Sequence, residues 1–203
     1  MTMRRMTTIC LALTAACCPG AQAQDRFQSG IPAAEAKQLE AIKSSYKATG
    51  NRDQAEDALK TLIARQPDYY AANYDLGLIL ADQGNYVQAI NYLETAKSIR
   101  EHKEVKDATI YNSLGWAYML EGDTRNAESN FNAAKAHSEL LPRESQARLY
   151  NNLGLLYTST GRYDESREAL GVASGTYGNK LASQNLVTLD RLTKQQAASA
   201  ATK

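Results

Sequence analysis

A glycine recurs along most of this chain at a spacing too wide for any single helix or strand. Gly50, Gly84, Gly122 and Gly161 stand 34, 38 and 39 residues apart. Their neighbours recur with them. Five residues after each come Ala55, Ala89, Ala127 and Ser166, and four residues further on Leu59, Leu93, Phe131 and Leu170. Seven residues before the last three stand Gly77, Gly115 and Gly154, each preceded by a leucine and followed three residues later by Leu80, Tyr118 or Tyr157. Self-similarity at such a period marks a stack of like units, each burying its apolar face only against its neighbours.

Each unit reads as a helix–turn–helix pair. Gly77, Gly115 and Gly154 lack a Cβ, so another helix backbone can come close there, and Ala55, Ala89 and Ala127 play the matching part on the second helix. Gly50, Gly84, Gly122 and Gly161 fit left-handed C-caps, with Asn51, Asn85 and Asp123 following as N-caps. The extra residues 104–107 and 142–146 each add about one turn of helix, so lengthened helices are the simplest account of those junctions.

The runs Tyr111-Asn112-Ser113-Leu114-Gly115-Trp116-Ala117-Tyr118 and Tyr150-Asn151-Asn152-Leu153-Gly154-Leu155-Leu156-Tyr157, each followed by a second helix carrying Ala127 and Phe131 or Ser166 and Leu170, resemble the tetratricopeptide repeat. Its signature is L-G-x-x-Y in one helix and A-x-x-x-F/L in the next. The resemblance implies an all-α, right-handed superhelical solenoid of about four units, at 36–69, 70–103, 108–141 and 147–180. The first copy is degenerate, with Lys43 in place of the close-packing glycine, yet it alone keeps the closing proline, Pro67. The repeat is a binding scaffold shared by unrelated proteins, so the fold names no partner.

The flanks fit a solenoid. Residues 24–35 read as a linker, with Pro32 placed to open the first helix. Ala182, Leu186, Leu189 and Leu192 share one face of a helix over 181–196, with Asp190, Arg191 and Lys194 off it, the pattern of a cap over the open apolar end. Residues 197–203 read as a frayed tail.

Residues 1–23 have the order of a secretory signal peptide: Arg4 and Arg5, an uncharged run from Thr7 to Cys18, then Ala21-Gln22-Ala23 as a cleavage site. Export to the periplasm of a Gram-negative bacterium is the expectation. All three cysteines, Cys10, Cys17 and Cys18, lie in this segment, so a chain starting at Gln24 would have none. The alternative is an outer-membrane lipoprotein: Leu13-Thr14-Ala15-Ala16-Cys17 resembles a lipidation signal, with Leu13 one residue too far from Cys17.

Little here could carry chemistry. His102 and His137 lack companions at zinc spacing, and no Ser, His and Asp sit in a nucleophile motif. The stretch 171–178 is glycine-rich, but Asn179-Lys180 does not complete a phosphate loop, and a loosened end of the last repeat helix explains it better. Acid pairs such as Glu165/Glu168 read as a solvated face. Net charge is +1, so no excess of Lys and Arg favours nucleic acid. A non-enzymatic protein without cofactor or metal is expected, binding a protein or extended peptide and touching membrane only if lipidated at Cys17.

The resemblance implies that first helices line the concave groove. Tyr74, Asn112 and Asn151 occupy equivalent places there, and Leu78, Trp116 and Leu155 stand one turn further on. Asparagines pair with the backbone of an extended peptide, or equally with a neighbouring helix. Trp116, the one tryptophan, offers a large anchor or a core residue. The tyrosines Tyr46, Tyr118 and Tyr157 follow the repeat and read as packing residues.

Overall fold

The computed structural model describes residues 31–102 and 108–201. The signal segment, its cysteines, both cleavage readings and the junction at 104–107 lie outside the described residues. Among those described, every regular element is helical.

Eight helices form four hairpins: α1 (Ala33–Thr49) with α2 (Arg52–Arg65), α3 (Tyr70–Asp82) with α4 (Tyr86–His102), α5 (Thr109–Glu121) with α6 (Thr124–Ala136), and α7 (Arg143–Ser159) with α8 (Tyr163–Gly171). A final helix, α9 (Lys180–Ala201), closes the series. Each second helix packs on the next first helix, and α3, α5, α7 and α9 also touch in succession, which makes a solenoid. The core runs across the junctions. Leu39, Leu59, Leu62, Leu76 and Leu80 form one cluster, Leu93, Ile110 and Leu114 the next, Phe131, Leu149 and Leu153 a third, and Leu170, Ala182 and Leu189 the last. No hairpin buries its own apolar side alone.

The recurring glycines do two jobs. Gly122 ends α5 at φ 96°, a left-handed conformation that a Cβ disfavours, and Gly50, Gly84 and Gly161 repeat it between the helices of the other hairpins. Gly77, Gly115 and Gly154 sit within the first helices against Leu93, Phe131 and Leu170, where a Cβ would meet side-chain carbons at 2.6, 2.5 and 2.5 Å. The two glycine series thus set the turn and the helix–helix distance.

Several details differ from expectation. Asn51 and Asp123 cap their helices, accepting from the N–H of Gln54 and of Asn126 at 3.0 Å each. Asn85 does not: its carboxamide donates to Gln83 at 3.5 Å, and its backbone carbonyl takes the Ala89 N–H. The linker gives way to helix at Ala33, three residues before the expected first unit, because Pro32 can precede a helix without losing a bonded N–H. At the third junction a short 3₁₀ turn, Ser138–Leu140, precedes Pro142, and 143–146 lengthen α7 rather than α6. Residues 171–178 do loosen, since α8 passes into a π-helical turn at Val172–Thr176 before Gly178 turns left-handed at φ 71°. The expected frayed tail is helical through residue 201, as alanine-rich sequence favours helix even without packing.

Candidate functional site

The first helices are joined side by side by a ladder of polar rungs. The Tyr74 and Ser113 hydroxyls lie 2.9 Å apart, linking α3 to α5. The Asn152 Nδ2 donates to Asn112 Oδ1 at 3.3 Å, linking α7 to α5. The Asn185 Nδ2 donates to Asn151 Oδ1 at 2.9 Å, linking α9 to α7. The register is the same each time: the residue three places before the close-approach glycine meets the residue two places before it in the next unit. In α9 that counting puts Asn185 in the partner's place and Val187, 72% exposed, where the glycine would stand. The cap therefore sits where the first helix of a fifth repeat would sit, with Val187 exposed at the glycine's place.

Both asparagines thus make the bond between helices. Asn112 remains half-buried, whereas Asn151 is 8% exposed beneath α9, with its carbonyl oxygen already engaged. Tyr74 stacks on Tyr70, with ring centroids 5.8 Å apart. Leu78, Trp116 and Leu155, each one place after its glycine, are all half-buried. Leu78 rests on the cluster containing Leu93 and Leu114, and Trp116 on the one containing Phe131 and Leu153. The inner atoms of Leu78 and Trp116 complete the core, while part of each of the three side chains stays open to solvent. Tyr118 and Tyr157 pack against the Phe131 cluster, and Tyr46 against that of Leu59.

Sequence reasoning passed over Asn73, Arg162 and Asp75, and placed Ser166 only as a repeat position. Asn73, 1% exposed, donates to the carbonyls of Pro67 and Tyr69 at 2.9 and 3.0 Å and so fixes the turn before α3. Ser166 fills the place of the small alanine and spends its hydroxyl on the Gly154 carbonyl at 2.8 Å. Arg162 reaches Glu128 of α6 at 2.6 Å and lies 4.3 Å above the Tyr157 ring, tying the last two hairpins together. Asp75 occupies the rung place equivalent to Ser113 and Asn152, but its Oδ2 is sealed from solvent without a hydrogen-bond partner. Burial pushes its carboxyl up to about 6, with Lys43 opposing and Glu40 reinforcing the shift. The Tyr69 hydroxyl, also sealed and unpartnered, is pushed up to about 12 by burial, then by Glu40 and Asp75. The signal for Asp75 lay in the register, two places before Gly77.

His102 and His137 are exposed. Among the described residues no three His, Cys, Asp or Glu side chains gather as metal ligands, and no helix is long and apolar enough to cross a membrane.

Helical hairpins stacked in register around a part-apolar surface define a class, the protein-interaction scaffold. The chain belongs to the tetratricopeptide repeat family, whose models match residues 44–103 and 107–174. Among solved structures it is similar to MamA 41-end from Desulfovibrio magneticus RS-1, at 20% identity and a TM-score of 0.65 over 82% of this chain and 89% of that one. BtubC from P. vanneervenii superposes with a TM-score of 0.62 at 16% identity, covering 89% of this chain and 88% of that one. These likenesses establish the fold alone, a right-handed superhelical solenoid. The general transcriptional corepressor trfA of Dictyostelium discoideum is 24% identical over 59% of this chain, and the chain spans 8% of its length. The corepressor ssn6 of Schizosaccharomyces pombe is 24% identical over a similar stretch, 10% of its length.

Proposed function

We propose that this protein is a non-catalytic scaffold that takes a protein segment, in extended form, along α3, α5 and α7. The row runs from Tyr74 and Leu78 through Asn112 and Trp116 to Leu155, and ends at Asn151, where α9 closes it. One observation carries the reading: Leu78, Trp116 and Leu155 keep part of their apolar surface open at equivalent places on three adjacent helices, although Leu78 and Trp116 also rest on filled core clusters. A row of partly exposed apolar anchors flanked by amide and hydroxyl groups is what an extended chain needs for affinity and register. Replacing Leu155 by Glu would abolish partner capture and leave helicity and melting temperature nearly unchanged; capture at wild-type strength would refute the reading.

The scaffold works, in the same proposal, after export to the periplasm, on the evidence of the basic, apolar and A-x-A segments in residues 1–23. The alternative, an outer-membrane lipoprotein that helps assemble a pilus or secretion complex, rests on the run ending at Cys17. Mass spectrometry of the mature N-terminus distinguishes them: Gln24 supports the first and acylated Cys17 the second.

A further inference from the structure

The three helices that form the open row carry almost no charge. Residues 70–81, 109–120 and 149–160 include a single Asp, Glu, Lys or Arg, namely Asp75, although 22% of the whole chain is charged. Burial alone does not account for this. Leu78, Asn112, Trp116, Asn152 and Leu155 are all partly open to solvent, where a charged side chain would be tolerated. The helix α1, in the same place in its own hairpin, carries Lys37, Glu40, Lys43 and Lys47, and the second helices α4, α6 and α8 each carry both signs. Charges at the ends of the row are engaged within the protein: Asp82 bridges to Arg52, and Arg148 to Glu144 at 3.8 Å. Asp75 itself keeps its Oδ2 sealed from solvent.

The polar groups left in the row match a peptide bond rather than an ion. The rung between α5 and α7 runs from Asn152 Nδ2 to Asn112 Oδ1 at 3.3 Å, and it does not use Asn112 Nδ2 or Asn152 Oδ1. A donor and an acceptor therefore stand close together, the complement of a backbone C=O and N–H. A carboxylate placed there would face the acceptor, and an ammonium would face the donor. Helices in contact lie about 8–10 Å apart and an extended chain advances about 3.3 Å per residue, so Leu78, Trp116 and Leu155 would receive side chains about three residues apart.

On the scaffold function proposed above, on which this rests, we infer that the segment taken up is uncharged over the roughly seven residues that lie on α3, α5 and α7. Its apolar side chains meet Leu78, Trp116 and Leu155, and one of its peptide groups meets the Asn112–Asn152 pair. A charged side chain pressed into this row would lose its water and find no counter-ion. Affinity comes from apolar area and backbone hydrogen bonds and owes nothing to attraction that salt can screen.

The photo-reactive residue p-benzoylphenylalanine at position 116, which keeps an aromatic ring there, tests this in the cells that make the protein; position 155 serves instead if that variant does not fold. Tandem mass spectrometry of the crosslinked peptide reads the captured sequence, which is expected to hold no Asp, Glu, Lys or Arg within about three residues of the linked one. Synthesised as a fluorescent peptide, that stretch should bind the purified protein with a Kd that changes less than about twofold between 50 and 500 mM NaCl. Lys or Glu in place of its linked residue should each weaken binding at least about tenfold. A charged residue inside that window, a tenfold loss of affinity with salt, or a Lys or Glu peptide that binds at full strength overturns the inference and leaves the scaffold function standing. Absence of any crosslink contradicts both.

Discussion

Gly115 lets the backbone of α5 come so near α6 that a Cβ built on it would stand 2.5 Å from Phe131 Cδ1. No two non-bonded carbons in a folded protein rest at that distance without something moving. Phe131 is fully buried, with Leu149 and Leu153 in its cluster, so its ring has no free space to yield into.

Gly115→Ala should therefore destabilise the protein by about 1–3 kcal/mol, the usual cost of overpacking a filled core. Urea unfolding would measure it. The same change at Gly171, where a Cβ would meet nothing within 4 Å, should cost nothing and could stabilise the helix.

Both sides of this relation were legible in the sequence as repeating positions, although the sequence set Ala89 and Ala127 opposite the glycines where the structure brings the side chains of Leu93, Phe131 and Leu170. The ladder was not. Asn112 was read against Asn151, its equivalent in the next unit, while its bond goes to Asn152, one place further on. That offset comes from the way one helix leans past another, which no list of equivalent positions contains. Asp75 was missed for a related reason: an isolated acid on a helix reads as solvated, and only the folded packing shields its Oδ2.

The rung under α9 should behave as a true pair. Asn151→Ala and Asn185→Ala are each expected to cost about 1–2 kcal/mol, because each leaves a shielded amide without its partner. Together they should cost less than the sum. A double-mutant cycle by chemical denaturation reads the coupling, expected at about 0.5–1 kcal/mol. Independent effects would mean that this bond adds nothing to the packing of Ala182, Leu186 and Leu189 that holds α9.

Stability should fall as pH rises through the titration of Asp75. Its folded carboxyl titrates at about 6 against an ordinary 3.8, so the native state holds this proton more tightly than the unfolded chain. The contribution is fully present below 3.8 and is lost as pH rises through 6, a change on the order of 3 kcal/mol. Asp75→Asn should accordingly raise the urea midpoint at pH 7.5 and leave a flatter profile between pH 4 and 7.5. A wild-type profile already flat over that range would contradict the burial of this carboxylate.

The central claim is that the open surface of α3, α5 and α7 holds a partner chain. A photo-crosslinking residue placed at position 78, 116 or 155, with controls at the exposed second-helix residues Gln88 and Ser129, tests it directly in the cells that make the protein. The account predicts that the three first-helix positions crosslink to one partner segment, in an order matching α3, α5 and α7, and that the controls do not. Crosslinks from positions 88 and 129 equal to those from the first helices, or none from the first helices, would contradict it.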